Sequence, residues 1–157
     1  MTATDELRAH AIPGLPDTLS YIPNFITPEE EQQLLASIHA QPKPKWTHLT
    51  HRRLQAHPSA LSATNTLLAA PLPDWLTSVI PRMHALTIWA DALHGGPNHV
   101  LINEYRPGEG IMPHEDGPAY HPVVATVSLG APIVLDIFEK REGASEKRWR
   151  VLQEPRR

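Results

Sequence analysis

The stretch from His99 to Phe138 constrains the fold of this chain more than any other part of it. It reads HVLINEYRPGEGIMPHEDGPAYHPVVATVSLGAPIVLDIF, which predicts a strand, a tight turn, a short polar segment and two further strands. Two polar pairs spaced by one residue lie within it, Asn103 with Tyr105 and His114 with Asp116. Side chains alternate between faces on an extended backbone, so each pair projects from a single face.

The pair His114 and Asp116 offers an imidazole nitrogen and a carboxylate oxygen side by side. These donors suit a divalent first-row metal, and they are two of the three ligands in the facial arrangement of non-haem Fe(II) sites. We therefore predict a metal site here, with its third ligand supplied from elsewhere. A surface turn is the alternative interpretation, because a His-x-Asp pair is common by chance.

The strand before the turn carries Asn103 and Tyr105 on one face, together with Leu101. If that face lines a barrel, the amide and the phenol are placed to hold a small polar organic acid. The alternative is structural, with Asn103 as a strand-edge amide and Tyr105 as an ordinary core residue. The turn itself is formed by the sequence PGEG at residues 107–110.

Three segments together resemble a known family: NHVLINEYRPGEGIMPHEDGPAYHPVVATVSLG, LPDTLSYIPNFITPEEEQQLLASI and KPKWTHL. They are similar to the AlkB-like branch of the Fe(II)- and 2-oxoglutarate-dependent dioxygenases, and most similar to its AlkB homologue six type. The likeness runs from about Pro13 to the end of the chain. The combination of N-x-Y with P-G-x-G-I-x-P-H-x-D-G is specific.

The resemblance implies a fold and a site. The fold would be α+β and mainly β, a double-stranded β-helix or jelly roll with N-terminal helices packed on it. His114 and Asp116 would be Fe(II) ligands, and Asn103 and Tyr105 would contact the cosubstrate 2-oxoglutarate. The implied activity is oxidative demethylation or hydroxylation of an alkylated nucleic acid or another substrate.

The C-terminal part departs from the family pattern. Members of the family carry a second ligand histidine on a late strand, followed by arginines, one of which pairs with the far carboxylate of 2-oxoglutarate. The last histidine here is His121, in a Tyr-His-Pro turn close to Asp116, and the final residues supply Arg148 and Arg150 before Arg157. We therefore expect a chain that stops within the barrel, without the third metal ligand or the carboxylate-binding arginine, and whose activity is in doubt.

The composition limits the class of protein. The 157 residues allow one modest core, and 41% hydrophobic residues are compatible with a folded domain. The chain contains no cysteine, so histidines and carboxylates are the available metal ligands. A net charge of -3 argues against nucleic-acid binding through a global positive field. No apolar run is long enough to span a bilayer, and we expect no membrane association and a nuclear or cytoplasmic location, or both.

A local basic segment precedes the barrel. It reads KPKWTHLTHRRLQAH, and its candidate substrate-lid residues are Lys45, Trp46, Arg52 and Arg53. Positive charge interleaved with an aromatic ring is the combination that single-stranded nucleic-acid sites use. A solvated turn with Trp46 at the edge of the core is the alternative.

We divide the chain into a loose leader at 1–14 and a dioxygenase-like domain at 15–157, with the lid and helices at 15–97 and the partial barrel at 98–157. Thr27 and Glu30 form a capping box that predicts a helix up to Pro42. A second helix is predicted from Asp74 as its N-cap, divided at Pro81.

Three strands are predicted after the ligand segment, at 123–129, 133–138 and from Trp149 to Leu152. The last of them would lack a neighbour, so we expect marginal stability, a protein partner that covers the exposed barrel edge, or aggregation. Two further functional interpretations stay open. One is a non-catalytic binding or scaffold module that retains half of the barrel, and the other is a cupin-like metal-binding jelly roll.

Overall fold

The computed structural model describes residues 7–64, 66–140 and 147–157, so the first six residues of the predicted leader lie outside the described residues. These residues form two compact units. The first unit comprises the described residues up to Leu35 and those from Ala125 onward, and the second comprises Ala36–Val124. The helix α1, Pro28–His39, runs from the first unit into the second.

Helix α1 begins as its sequence predicts. The Thr27 amide donates to Glu30 Oε2 at 2.7 Å, and the Glu30 amide donates to Thr27 Oγ1 at 3.2 Å, which completes the capping box. Three acidic residues occupy the first turn, where the helix dipole favours negative charge. Leu34 and Ile38 are buried on one face. The helix ends at His39, three residues before Pro42.

The first unit contains a two-stranded antiparallel sheet of β4, Ile133–Phe138, and β5, Arg148–Gln153. Both strands agree with the sequence prediction. The strand predicted at 123–129 is wrong, because the backbone there is irregular. Ser128 instead exchanges backbone hydrogen bonds with the chain end: its amide donates to the Arg157 carbonyl, and its carbonyl accepts from the Arg156 amide.

Glu31 of α1 ties together three segments of the first unit. Its side chain is 10% exposed, and its carboxylate accepts a 2.7 Å hydrogen bond from the Gly130 amide and a 2.9 Å bond from Arg156 Nη1. The Phe25 amide donates to the Arg156 carbonyl at 2.9 Å. A buried carboxylate needs such partners, because desolvation without them is costly.

The second unit contains a three-stranded antiparallel sheet in the order β1-β2-β3. Strand β1 is Thr47–Leu49, β2 is Arg52–His57 and β3 is Val100–Glu104. A short 3-10 helix at Lys43–Lys45 precedes β1. The segment predicted as a basic lid loop is therefore mostly a β-hairpin, whose two strands pair directly.

Two short helices, α2 at Asp74–Thr77 and α3 at Ile80–Ala85, replace the single divided helix. The break near Pro81 is confirmed, because Pro81 lies in the first turn of α3, where its missing N–H costs no helical hydrogen bond. The predicted N-cap is wrong: Pro73 occupies that position, and no side chain caps α2. The buried apolar residues of this region are Leu76, Val79, Met83, Leu86 and Trp89.

Candidate functional site

The register of the three-stranded sheet assigns side chains to two faces. Leu54 lies opposite Asn103, and Ala56 lies opposite Leu101, and opposed residues of antiparallel strands share a face. We call the face that carries these residues the open face; its members are Thr47, Leu49, Arg52, Leu54, Ala56, Leu101 and Asn103. The covered face carries Arg53, Gln55, His57, Val100, Ile102 and Glu104.

The covered face packs against helical elements. Gln55 is 0% exposed and His57 is 2% exposed. Gln55 Nε2 donates to the Ile38 carbonyl of α1 at 2.9 Å, which leaves Gln55 Oε1 to accept from His57 Nε2 at 3.0 Å. The His57 ring also meets Trp75 edge to face at 5.3 Å. Burial lowers the pKa of His57 to about 4, with smaller contributions from the positive charges of Lys45 and His99, so this histidine is neutral at pH 7.

The edge of the covered face holds an ion pair. Arg53 Nε and Nη2 donate to the two carboxylate oxygens of Glu104 at 2.6 and 2.8 Å. The hydrogen bond from Arg53 lowers the pKa of Glu104, and the same bond raises the pKa of Arg53. The Arg53 guanidinium also lies 3.9 Å above the Trp46 ring, a cation–π distance.

Both predicted cosubstrate contacts lie at the C-terminal end of β3. Asn103 lies near the end of β3, and Tyr105 follows the strand directly. Arg52 Nε donates to Asn103 Oδ1 at 3.1 Å. Burial raises the pKa of Tyr105, and the nearby positive charge of Arg52 acts in the opposite direction. Leu49 and Leu101 on the open face are 44% and 46% exposed.

The predicted metal ligands lie on an irregular segment after the turn, and both are exposed. His114 Nδ1 lies 2.7 Å from the Met112 carbonyl oxygen. A carbonyl oxygen can only accept, so Nδ1 is the donor of this bond, and in the neutral imidazole Nε2 is the nitrogen that can bind a metal. Metal-ligating histidines are commonly held in this way, with one ring nitrogen donating and the other facing the metal. The donor chemistry of His114 and Asp116 therefore fits an Fe(II) site in part.

Contacts at both ends hold the ligand segment. On the N-terminal side, Gly108 has φ +84, which its turn requires, and the Gly110 amide donates to the His51 carbonyl at 3.2 Å. On the C-terminal side, Trp89 is 6% exposed and its Nε1 donates to the Val123 carbonyl at 3.2 Å. The ligand-bearing segment is thus held at its two ends by the second unit.

In the part of the chain that the structure describes, no third histidine or carboxylate completes the predicted metal pair. Within residues 7–64, 66–140 and 147–157, no group of three or more histidines and carboxylates is arranged to hold a metal. His121 lies 3.5 Å from Asp91 Oδ1, in an arrangement separate from His114. Burial, and then the negative charge of Asp116, raise the pKa of the Tyr120 phenol, and the Tyr120 ring lies 5.5 Å from His99.

The sequence of the whole site matches a known family profile. The profile of the 2OG-Fe(II) oxygenase superfamily covers residues 18–153. The chain belongs to the 2OG-Fe(II) oxygenase superfamily. Its antiparallel sheets and few helices agree with the jelly-roll type of fold that this superfamily adopts.

The resemblance to AlkB-like dioxygenases of the homologue six type is confirmed by individual relatives. The chain is 46% identical over 133 residues to "Probable RNA/DNA demethylase ALKBH6" of Danio rerio, which covers 85% of this chain. It is 30% identical over 132 residues to "tRNA (carboxymethyluridine(34)-5-O)-methyltransferase alkbh8" of Xenopus tropicalis, over 79% of this chain. The chain spans 55% of the length of the Danio rerio protein and 20% of the Xenopus tropicalis protein.

All four candidate lid residues make contacts within the protein. Lys45 Nζ donates to the Pro58 carbonyl at 3.1 Å. Arg53 is paired with Glu104 and stacks on Trp46. Arg52 lies on the opposite face, beside Asn103. Sequence patterns did not reveal this separation of the two arginines, because it depends on the hairpin register.

Proposed function

We propose that this chain acts as an AlkB-type Fe(II)- and 2-oxoglutarate-dependent dioxygenase domain, with an alkylated nucleic acid as the first substrate class to test. The observation that carries the proposal is the hydrogen bond from His114 Nδ1 to the Met112 carbonyl, which leaves Nε2 as the possible metal ligand two residues from Asp116. The membership of the chain in this superfamily supports it. The name of the Danio rerio relative, an RNA/DNA demethylase, supports the substrate class.

In this proposal His114 Nε2 and an oxygen of Asp116 would hold Fe(II), while Asn103 and Tyr105 would orient 2-oxoglutarate. When bound, Fe(II) and 2-oxoglutarate would supply, with O2 as the oxidant, oxidative decarboxylation to succinate and CO2 coupled to hydroxylation of a substrate C–H bond. On an N-alkylated base, the hydroxylated carbon leaves as an aldehyde. Because His114 and Asp116 are both exposed, further donor groups could reach a metal that they hold.

We also propose that residues 15–157 form one dioxygenase-like domain with an incomplete jelly-roll barrel. The exposed apolar pair on β4 and β5 supports the predicted protein partner at the barrel edge, because the cross-strand neighbours Val134 and Leu152 are 54% and 57% exposed. In the described part of the chain, no helix is long and apolar enough to cross a membrane. Nucleic-acid binding through the lid and a nuclear or cytoplasmic location stay predictions.

The test is formation of succinate from 2-oxoglutarate by the purified chain, with and without Fe(II), in the presence of methylated oligonucleotides. We expect Fe(II)-dependent succinate that His114→Ala and Asp116→Ala each abolish. His48→Ala is the matched control, because His48 is an exposed histidine on β1. If the folded chain gives no Fe(II)-dependent succinate, the proposal fails and the non-catalytic binding module becomes the better interpretation.

A further inference from the structure

Two neighbouring arginines of β2 differ in their surroundings. Arg53 projects from the covered face and is paired with the Glu104 carboxylate by two hydrogen bonds. Arg52 projects from the open face, where Asn103 Oδ1 accepts from its Nε. Among the residues that the structure describes, no carboxylate forms an ion pair with Arg52. Within the described ranges, the open face therefore carries no acidic side chain that balances the positive charge of Arg52.

The bond from Arg52 also fixes the orientation of the Asn103 amide. Because Asn103 Oδ1 accepts from Arg52, the Asn103 Nδ2 group remains a donor. The terminal nitrogens of Arg52 are donors without any acceptor capacity, and the Tyr105 hydroxyl can donate as well. This corner of the open face thus presents several donors and one positive charge, a combination that complements a carboxylate.

The remainder of the open face suits the rest of a short dicarboxylate. Leu49 and Leu101 are exposed there. In the register of the sheet, Leu49 is the partner of Arg52, Leu54 is the partner of Asn103, and Ala56 is the partner of Leu101. Apolar side chains can cover the methylene groups of such an acid while the donors bind its charged end.

We propose that Arg52 is a further cosubstrate-binding residue, whose guanidinium pairs with a carboxylate of 2-oxoglutarate held against Asn103 and Tyr105. This inference rests on the proposed function. It assigns Arg52 to the cosubstrate rather than to a nucleic-acid lid, and it separates Arg52 from Arg53, which is a structural residue of the covered face.

The test measures binding of glutarate to the metal-free chain by titration calorimetry. Glutarate carries two carboxylates but no keto group, so its binding does not require iron. We expect Arg52→Met to weaken glutarate binding by about 10- to 100-fold, the usual effect of losing a hydrogen-bonded charge. Arg52→Lys should recover part of the affinity, because it keeps the charge but loses the planar fork.

Arg150→Met is the matched control. It makes the same change of charge on β5, where Arg150 pairs with Asp136, and it should leave glutarate binding unchanged. Unchanged affinity in Arg52→Met, no glutarate binding by the wild type, or equally tight binding of inorganic phosphate would each overturn the inference. The inference and the proposed function can fail separately. If Arg52→Met loses glutarate binding but the wild type forms no succinate, the inference alone is supported. If the wild type forms succinate but Arg52→Met binds glutarate as tightly as the wild type, the proposed function alone is supported.

Discussion

Protonation of His57 should destabilise the second unit as the pH falls. The His57 ring is 2% exposed and donates to Gln55, and burial lowers its pKa from 6.5 to about 4. Between these two values the unfolded chain binds a proton that the folded chain does not, so stability decreases as the pH falls through 6.5 and levels off below 4. At 1.36 kcal/mol per pH unit, the full effect is about 3 kcal/mol.

The assay is urea unfolding of the wild type and His57→Gln at about pH 7.5 and about pH 5.0, where about 2 kcal/mol of the effect is expected. The amide of Gln cannot take up a proton, so the variant should lack this part of the pH dependence even if it is less stable at both values. His48→Gln, an exposed change on the same hairpin, serves as the control. Equal pH dependence in wild type and His57→Gln would refute the reasoning.

Three further predictions concern single contacts, each measured by urea unfolding. Glu104→Gln should lower the free energy of unfolding by about 1 kcal/mol at pH 7, because it weakens the pair with Arg53. Since the pKa of Glu104 is lowered in the folded chain, this difference from the wild type should shrink as the pH falls below about 4.5. A difference that stays constant with pH would count against the pair. Arg156→Met should cost about 3 kcal/mol, because it leaves the buried Glu31 carboxylate without its cation, and Glu31→Gln in that background should recover stability rather than lose more. Thr27→Ala should cost about 1 kcal/mol through loss of the capping box, and a change under about 0.3 kcal/mol would contradict that assignment.

Local sequence signals predicted the elements whose causes are local. The capping box at Thr27 and Glu30 fixed the start of α1, and the position of Pro81 divided the helical region, as the structure shows. The strand at 133–138 was predicted from a nearly continuous apolar run interrupted by Asp136, and the strand around Val151 from its apolar residues. These features depend on neighbours within a few residues, which a single sequence displays.

Features that depend on contacts between residues far apart in the chain were not predicted from the sequence. The segment at 123–129 alternates like a strand, yet its Ser128 bonds to Arg156 and Arg157 without forming one. The hairpin of β1 and β2 was predicted as a loop, so the neighbourhood of Arg52 and Asn103 was missed. The spacing of threonine, histidine and arginine in THLTHRR gave no strong turn signal, and only the register shows which arginine faces the cosubstrate residues.

The candidate site also has features that local spacing predicts and features that only the structure shows. Spacing along the chain predicted Asn103, Tyr105, His114 and Asp116 as two functional pairs, and their roles stay predictions. The structure adds what spacing could not supply: the proton on His114 Nδ1, and the cation beside Asn103.

The central claim is that His114 and Asp116 hold Fe(II) beside bound 2-oxoglutarate. Its most direct test is an anaerobic titration of the purified chain with Fe(II), with and without 2-oxoglutarate, that follows the metal-to-ligand charge-transfer band. We predict a band that requires both additions, that persists in His48→Ala and that disappears in the double variant His114→Ala, Asp116→Ala. A folded wild-type chain that gives no band, or a band of equal intensity in the double variant, would contradict the account.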